Sequence, residues 1–144
     1  MRILTLMMAA GLALAAGAAP AQDIGSLTGH WQATAQVGMT PVAFDLVVQP
    51  NGTYSETERS GTLMTIQSGE IRVAGAGLIA FVVEDWSPKT MPVYHPTGTV
   101  GGYYGQSPTT KPPGGVWRMQ FNGPSSMTVQ DTSYGGVVIF NRVP

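Results

Sequence analysis

The chain carries two histidines, His30 and His95, and no cysteine, so a zinc centre built on several imidazoles or thiolates cannot be assembled from it. A soft ion such as Cu(I) accepts thioether and imidazole ligands. Met91 and His95 offer that pair within one segment, with Met39 and Met64 elsewhere. Methionine is equally an ordinary filler of apolar cores. For acyl transfer His95 would need a nucleophile, but no G-x-S-x-G is present and nothing ties it to one Ser or Thr. Glycoside cleavage needs two carboxyl groups facing one sugar. Glu84 and Asp85 are neighbours in an extended run and point to opposite faces. Glu56 and Glu58 do share a face, which reads as the exposed side of a polar strand. No catalytic residue, metal site or cofactor is assigned, and the chain reads as non-enzymatic.

Aromatic residues form the more informative group. Trp86, Tyr94, Tyr103, Tyr104 and Trp117 lie within or beside residues 87–115, a segment rich in Pro, Gly, Thr and Tyr. Tyr and Trp give large contact area with few rotors and a polar tip. Gly98, Gly101, Gly102 and Gly105 would let backbone approach a partner closely. A segment this long without regular structure is uncommon in a small domain and is often functional. Three roles fit: a lid over a barrel mouth, a surface for a protein partner, or a loop that buries its own aromatics. Part of it, Thr99 to Tyr104, has the composition of a short strand.

The elements that must position these residues follow a period of two. Trp31, Ala33, Ala35 and Val37 alternate with Gln32, Thr34 and Gln36, the pattern of a half-buried strand. Val42, Phe44, Leu46 and Val48 repeat it. Gln49-Pro50-Asn51-Gly52 is a turn, because Pro presets φ and Asn and Gly accept the left-handed region. Strands are expected at 53–59, 62–67, 70–74 and 78–86, with Ser60-Gly61, Ser68-Gly69 and Gly75-Ala76-Gly77 as the turns between them. Further strands are expected at 116–121, 127–131 and 137–143. That makes about eight or nine strands and no amphipathic helix of useful length, which points to a sandwich or an up-and-down barrel.

Gly29-His30-Trp31 opens the first strand and Arg142 lies in the last. A barrel closes by pairing these two strands, which would bring Arg142 onto the Trp31 indole. Such a cation–π contact is worth about 0.5 to 2 kcal/mol. This G-x-W with a last-strand Arg resembles the calycin superfamily, the lipocalin-like barrels. Avidin-like barrels and small periplasmic metalloprotease inhibitors share the G-x-W start; the inhibitors usually carry a disulfide, which this chain cannot form. The fold expected is all-β: a small antiparallel up-and-down barrel of about eight strands, lipocalin-like, behind a cleaved signal-peptide helix. The resemblance implies a cavity for a small apolar or amphipathic molecule. Phe44, Leu46, Phe81, Trp86, Tyr94, Tyr103, Tyr104, Trp117 and Met119 are the residues assigned to it. Gly29, Trp31 and Arg142 would close the barrel. The alternative is an interaction or inhibitor module of the cell envelope, acting through loop 87–115.

Residues 1–21 read as a signal peptide. Arg2 supplies a short positive start, an apolar run reaches about Leu14, and Ala19-Pro20-Ala21 is an A-x-A cleavage site. The single domain is then 22–144, placed in the periplasm or outside the cell, with no stable membrane insertion after cleavage. It must hold together without disulfides. The formal net charge of -1 and the lack of any basic run argue against nucleic acid as a partner. A small apolar molecule or an envelope protein remains. Polar outward positions such as Gln32, Asp45, Arg118 and Gln120 argue against a lipid-facing barrel.

Overall fold

The computed structural model describes residues 23–98, 101–133 and 135–144. The segment read as an export signal lies outside them, as do Thr99, Val100 and Tyr134. One short helix, α1 (Ile24–Leu27), precedes the strands β1 (Gly29–Val37), β2 (Thr40–Val48), β3 (Thr53–Ser60), β4 (Leu63–Gly75) and β5 (Leu78–Ser87). Then follow β6 (Thr90–Pro96), β7 (Gly102–Pro108), β8 (Val116–Gly123), β9 (Ser126–Asp131) and β10 (Val137–Arg142). Eight of these form a closed antiparallel barrel in the order β1-β10-β9-β8-β5-β4-β3-β2. Each barrel strand thus pairs with its neighbours along the chain, and the first pairs with the last. Strands β6 and β7 form a separate two-stranded sheet, inserted between β5 and β8.

Alternation decides which side chains enter the barrel. On β1, Trp31 and Ala33 are buried while Gln32 and Thr34 face outward. Leu27, Trp31, Leu46, Ile79, Met119 and Met127 are wholly buried together. Burying each such side chain stabilises the fold by roughly 1.5 to 3 kcal/mol. The β2–β3 turn has the chemistry expected of it. Gly52 takes φ +84°, and Asn51 Oδ1 accepts from the Thr53 backbone (3.0 Å) and hydroxyl (2.8 Å).

Two expectations are corrected. Ser68-Gly69 is no turn: β4 runs through it as one strand, with a register shift against β5 between these residues. A Cβ on Gly69 would lie 2.0 Å from the Val82 carbonyl oxygen, so the glycine serves close strand approach at a bulge. The 87–115 segment is no irregular loop either. It holds the β6–β7 hairpin, paired from Thr90↔Pro108 to Pro96↔Gly102. A two-stranded ribbon consists only of edges, and edge strands tolerate the proline that interior strands reject.

The barrel is not sealed evenly. Strands β1 and β2 pair along their whole length. In contrast, β1 meets β10 only at Trp31↔Arg142 and Gln32↔Asn141, and β5 meets β8 only from Leu78↔Arg118 to Ala80↔Val116. Both short seams leave the far half of each strand without a ladder partner across them.

Candidate functional site

One end of the barrel is closed by a cluster centred on Arg142. Its guanidinium lies over the Trp31 ring, with Cζ 4.3 Å from the centroid. The same group donates to three carbonyls: Nη1 to Thr28 (2.7 Å), Nη2 to Ser26 (3.2 Å) and Nε to Pro124 (3.0 Å). Trp31 Nε1 donates to the Leu27 carbonyl at 2.8 Å. Helix α1, capped by Asp23 and buried through Leu27, is thereby fastened beneath the barrel. Gly29 has φ +137°, and a Cβ there would sit 2.6 Å from Arg142 Nη1. The sequence thus needs glycine at this position because the guanidinium occupies the space of a side chain.

Above this filled end, rings cross the interior in contact: Tyr54 on Phe81 (4.9 Å, edge-on), Phe81 on Trp117 (4.3 Å), Trp117 on Phe140 (5.9 Å) and Phe140 on Phe44 (6.2 Å). Toward the other end the packing stops short of the rim and leaves an open pocket. A cavity of about 520 Å³ is lined by Ala35, Phe44, Trp117, Val129, Val138 and Phe140, among others. It lies where β1 and β10 have parted, and the parting opens it to solvent.

A second cavity, of about 510 Å³, shares no lining residue with the first. Its barrel wall includes Glu56, Glu58 and Gln67, and β5 contributes Trp86. Its other wall is the β6–β7 hairpin, through Met91, Val93 and Ser107. The hairpin is held over the barrel by its neck. Thr109 N donates to the Lys89 carbonyl (2.8 Å), and Trp86 Nε1 donates to Thr109 Oγ1 (3.1 Å). Lys89 Nζ lies 3.3 Å from the Trp86 ring centre and pairs with Asp85 at 2.6 Å.

Glu56 is the one charged residue in the buried interior among the described residues, at 5% exposure. Its Oε2 accepts a hydrogen bond from Gln67 Nε2, directly across the β3–β4 ladder. Burial pushes its carboxyl up to about 7; the Gln67 bond holds it partly down, and the Glu58 carboxylate adds to the rise. Tyr54, on the same face of β3, is 3% exposed, and among the described residues its hydroxyl has no hydrogen-bond partner. Burial, followed by the charges of Glu56 and Glu84, pushes its hydroxyl up to about 12.

The residues assigned from sequence are dispersed. Phe44 and Trp117 line the first cavity and Trp86 the second. Leu46 and Met119 are packed in the core and line neither, and Phe81 joins the aromatic row. Tyr94, Tyr103 and Tyr104 stand out on the hairpin, with Tyr104 76% exposed. Tyr94 packs on Tyr104 (5.3 Å) and His95 stacks on Tyr103 (5.1 Å). Met91 and His95 are four residues apart on one strand, roughly 13 Å, so they cannot share one ion. Among the described residues no three His, Asp or Glu side chains gather around a metal position.

Glu56 was read from sequence as exposed, and the structure overturns that. The signal was present in the alternation: Tyr54, Glu56 and Glu58 share a face, and a core role for Tyr54 draws Glu56 inward. No protein-family model matches the chain, and no curated protein matches it.

Proposed function

We propose that this chain is an exported, non-enzymatic binding protein of the lipocalin-like, calycin type. It holds a small apolar or amphipathic molecule at the open end of its barrel, in the periplasm or outside the cell. One observation carries the reading: the barrel is packed solid at its Trp31–Arg142 end, and at the other end an open, largely apolar pocket lies against Phe44, Trp117 and Phe140. Pockets of this size and lining suit small ligands. The calycin assignment rests on the G-x-W of β1 meeting the last-strand Arg in a closed eight-stranded barrel. The export assignment rests on residues 1–21 of the sequence. Native mass spectrometry of protein purified gently from its own cells tests the binding. A reproducible extra mass that denaturation releases supports it. A bare mass that stays bare when the protein is exposed to apolar extract of the same cells rejects it.

A second reading is favoured by the exposed Tyr94, Tyr103 and Tyr104. Here the hairpin is the contact surface for an envelope protein, since exposed tyrosines supply contact area with few rotors. Replacing residues 90–108 by a short turn should then abolish partner capture while the barrel stays folded. Undiminished capture would reject this reading.

A further inference from the structure

The cavity beneath the β6–β7 hairpin is more acidic than the first, whose lining holds one carboxyl group, Asp131. Two carboxyl groups, Glu56 and Glu58, line the hairpin cavity, and no basic side chain does. Lys89 lies nearby over Trp86 but is tied to Asp85 and is not part of the lining. Glu56 is buried. Its Oε2 is taken by Gln67, while no described residue donates to Oε1. This second oxygen is not among the fully buried atoms left without a partner, so it is reached from the cavity. Around these acids the wall is apolar, with Trp86, Met91 and Val93. Gln67 fixes the orientation of Glu56 from the opposite strand, so its free oxygen is held in place in advance of any ligand.

We infer that this cavity takes a small organic amine with an apolar body, its ammonium group donating to Glu56 and its body lying against Trp86 and the inner face of the hairpin. The inference goes beyond the binding reading above: it assigns the second cavity a chemical class of ligand of its own. An ammonium brings several donors and the charge opposite to the carboxylate, and charge-assisted hydrogen bonds are the stronger kind. An alcohol of the same length brings one neutral donor. A fatty acid or phosphate ester would place an anion against two carboxyl groups. The volume, about 510 Å³, is within the range of small-ligand pockets.

The test is calorimetric titration of the purified protein with octylamine, octanol and octanoate at about pH 8, where an alkylamine is charged. Octylamine should bind about tenfold or more tighter than octanol, the step expected when a neutral hydrogen bond becomes a charged one. Octanoate should bind weakest. Glu56→Gln should remove the amine's advantage, so that octylamine and octanol bind alike. Met91→Lys, on the hairpin wall and outside the packed core, should weaken octylamine selectively, and serves if the Glu56 variant does not fold. Equal binding of amine and alcohol, a preference for octanoate, or an amine preference that survives both substitutions overturns the inference while leaving the binding reading in place. No binding of any of the three overturns the inference as well.

Discussion

Arg142 and Trp31 are direct partners across the β1–β10 seam, and the Arg142 guanidinium also lies 4.3 Å from the centre of the Trp31 ring. One residue therefore both closes the ladder and covers the indole. Its three nitrogens reach three carbonyls on α1, the segment after it and the β8–β9 turn. Arg142→Ala should cost about 2 to 4 kcal/mol, from the lost cation–π contact and hydrogen bonds to a charged donor. Lysine should recover only part of this, because one ammonium cannot reproduce the planar fork. Urea unfolding of the three proteins measures it. Full rescue by lysine would show that charge alone matters.

Gly29→Ala should destabilise by about 2 kcal/mol or more, through positive φ and the collision with Arg142 Nη1. The two causes separate in a double-mutant cycle. With Arg142→Ala already in place the collision is gone and only the backbone strain remains, so the second substitution should cost less. Strict additivity would place the whole cost in the backbone.

Glu56 makes stability depend on pH in a defined direction. Its carboxyl titrates near 7 in the fold, against an ordinary 4.5. Between these values the folded chain holds a proton that the unfolded chain has lost. The contribution is full below 4.5 and is lost as pH rises through 7. The span is on the order of 3 kcal/mol, at about 1.4 kcal/mol for each pH step. Glu56→Gln should flatten this part of the profile. Unfolding free energies measured across the interval decide it; an unchanged slope would assign the effect to other groups.

Tyr54→Phe removes a buried hydroxyl that has no partner among the described residues. It should stabilise the free protein by about 1 kcal/mol, because an unsatisfied polar group costs more than it returns. A loss of stability would mean that the hydroxyl is satisfied in solution.

How much of this was legible follows from the kind of signal each residue carries. Alternation is local, so the barrel strands and the inward positions of Trp31, Leu46 and Met119 could be read directly. The Trp31–Arg142 contact could be read because chain closure pairs the first and last strands. Gly69 was read as a turn because a glycine for close approach and a glycine for reversal look the same until the facing strand is known. The Pro-rich stretch concealed β6 and β7 because proline argues against interior strands and says nothing against a lone ribbon. Glu56 was missed because charge outweighed its place on the Tyr54 face. The two cavities had no local signal: the first lies where the β1–β10 ladder stops and the second where the hairpin faces β3, β4 and the end of β5, and both placements depend on strands far apart in the chain.

The hairpin neck allows a clean separation of fold from function. Thr109 N lies 2.8 Å from the Lys89 carbonyl oxygen, the spacing that two residues of a tight turn bridge. Residues 90–108 can therefore be replaced by Asn-Gly without moving either end. No residue of the buried core lies in that stretch, so the stability lost should be small, about 1 kcal/mol or less. The anchor of Trp86 on Thr109 survives the change. What goes is one wall of the second cavity, with Met91, Val93 and Ser107. The first cavity keeps every lining residue. Octylamine affinity should therefore fall at least about tenfold in the shortened protein, while apolar probes that fill the Phe44–Trp117 cavity bind as before. A large loss of stability would instead make the hairpin part of what holds the barrel together.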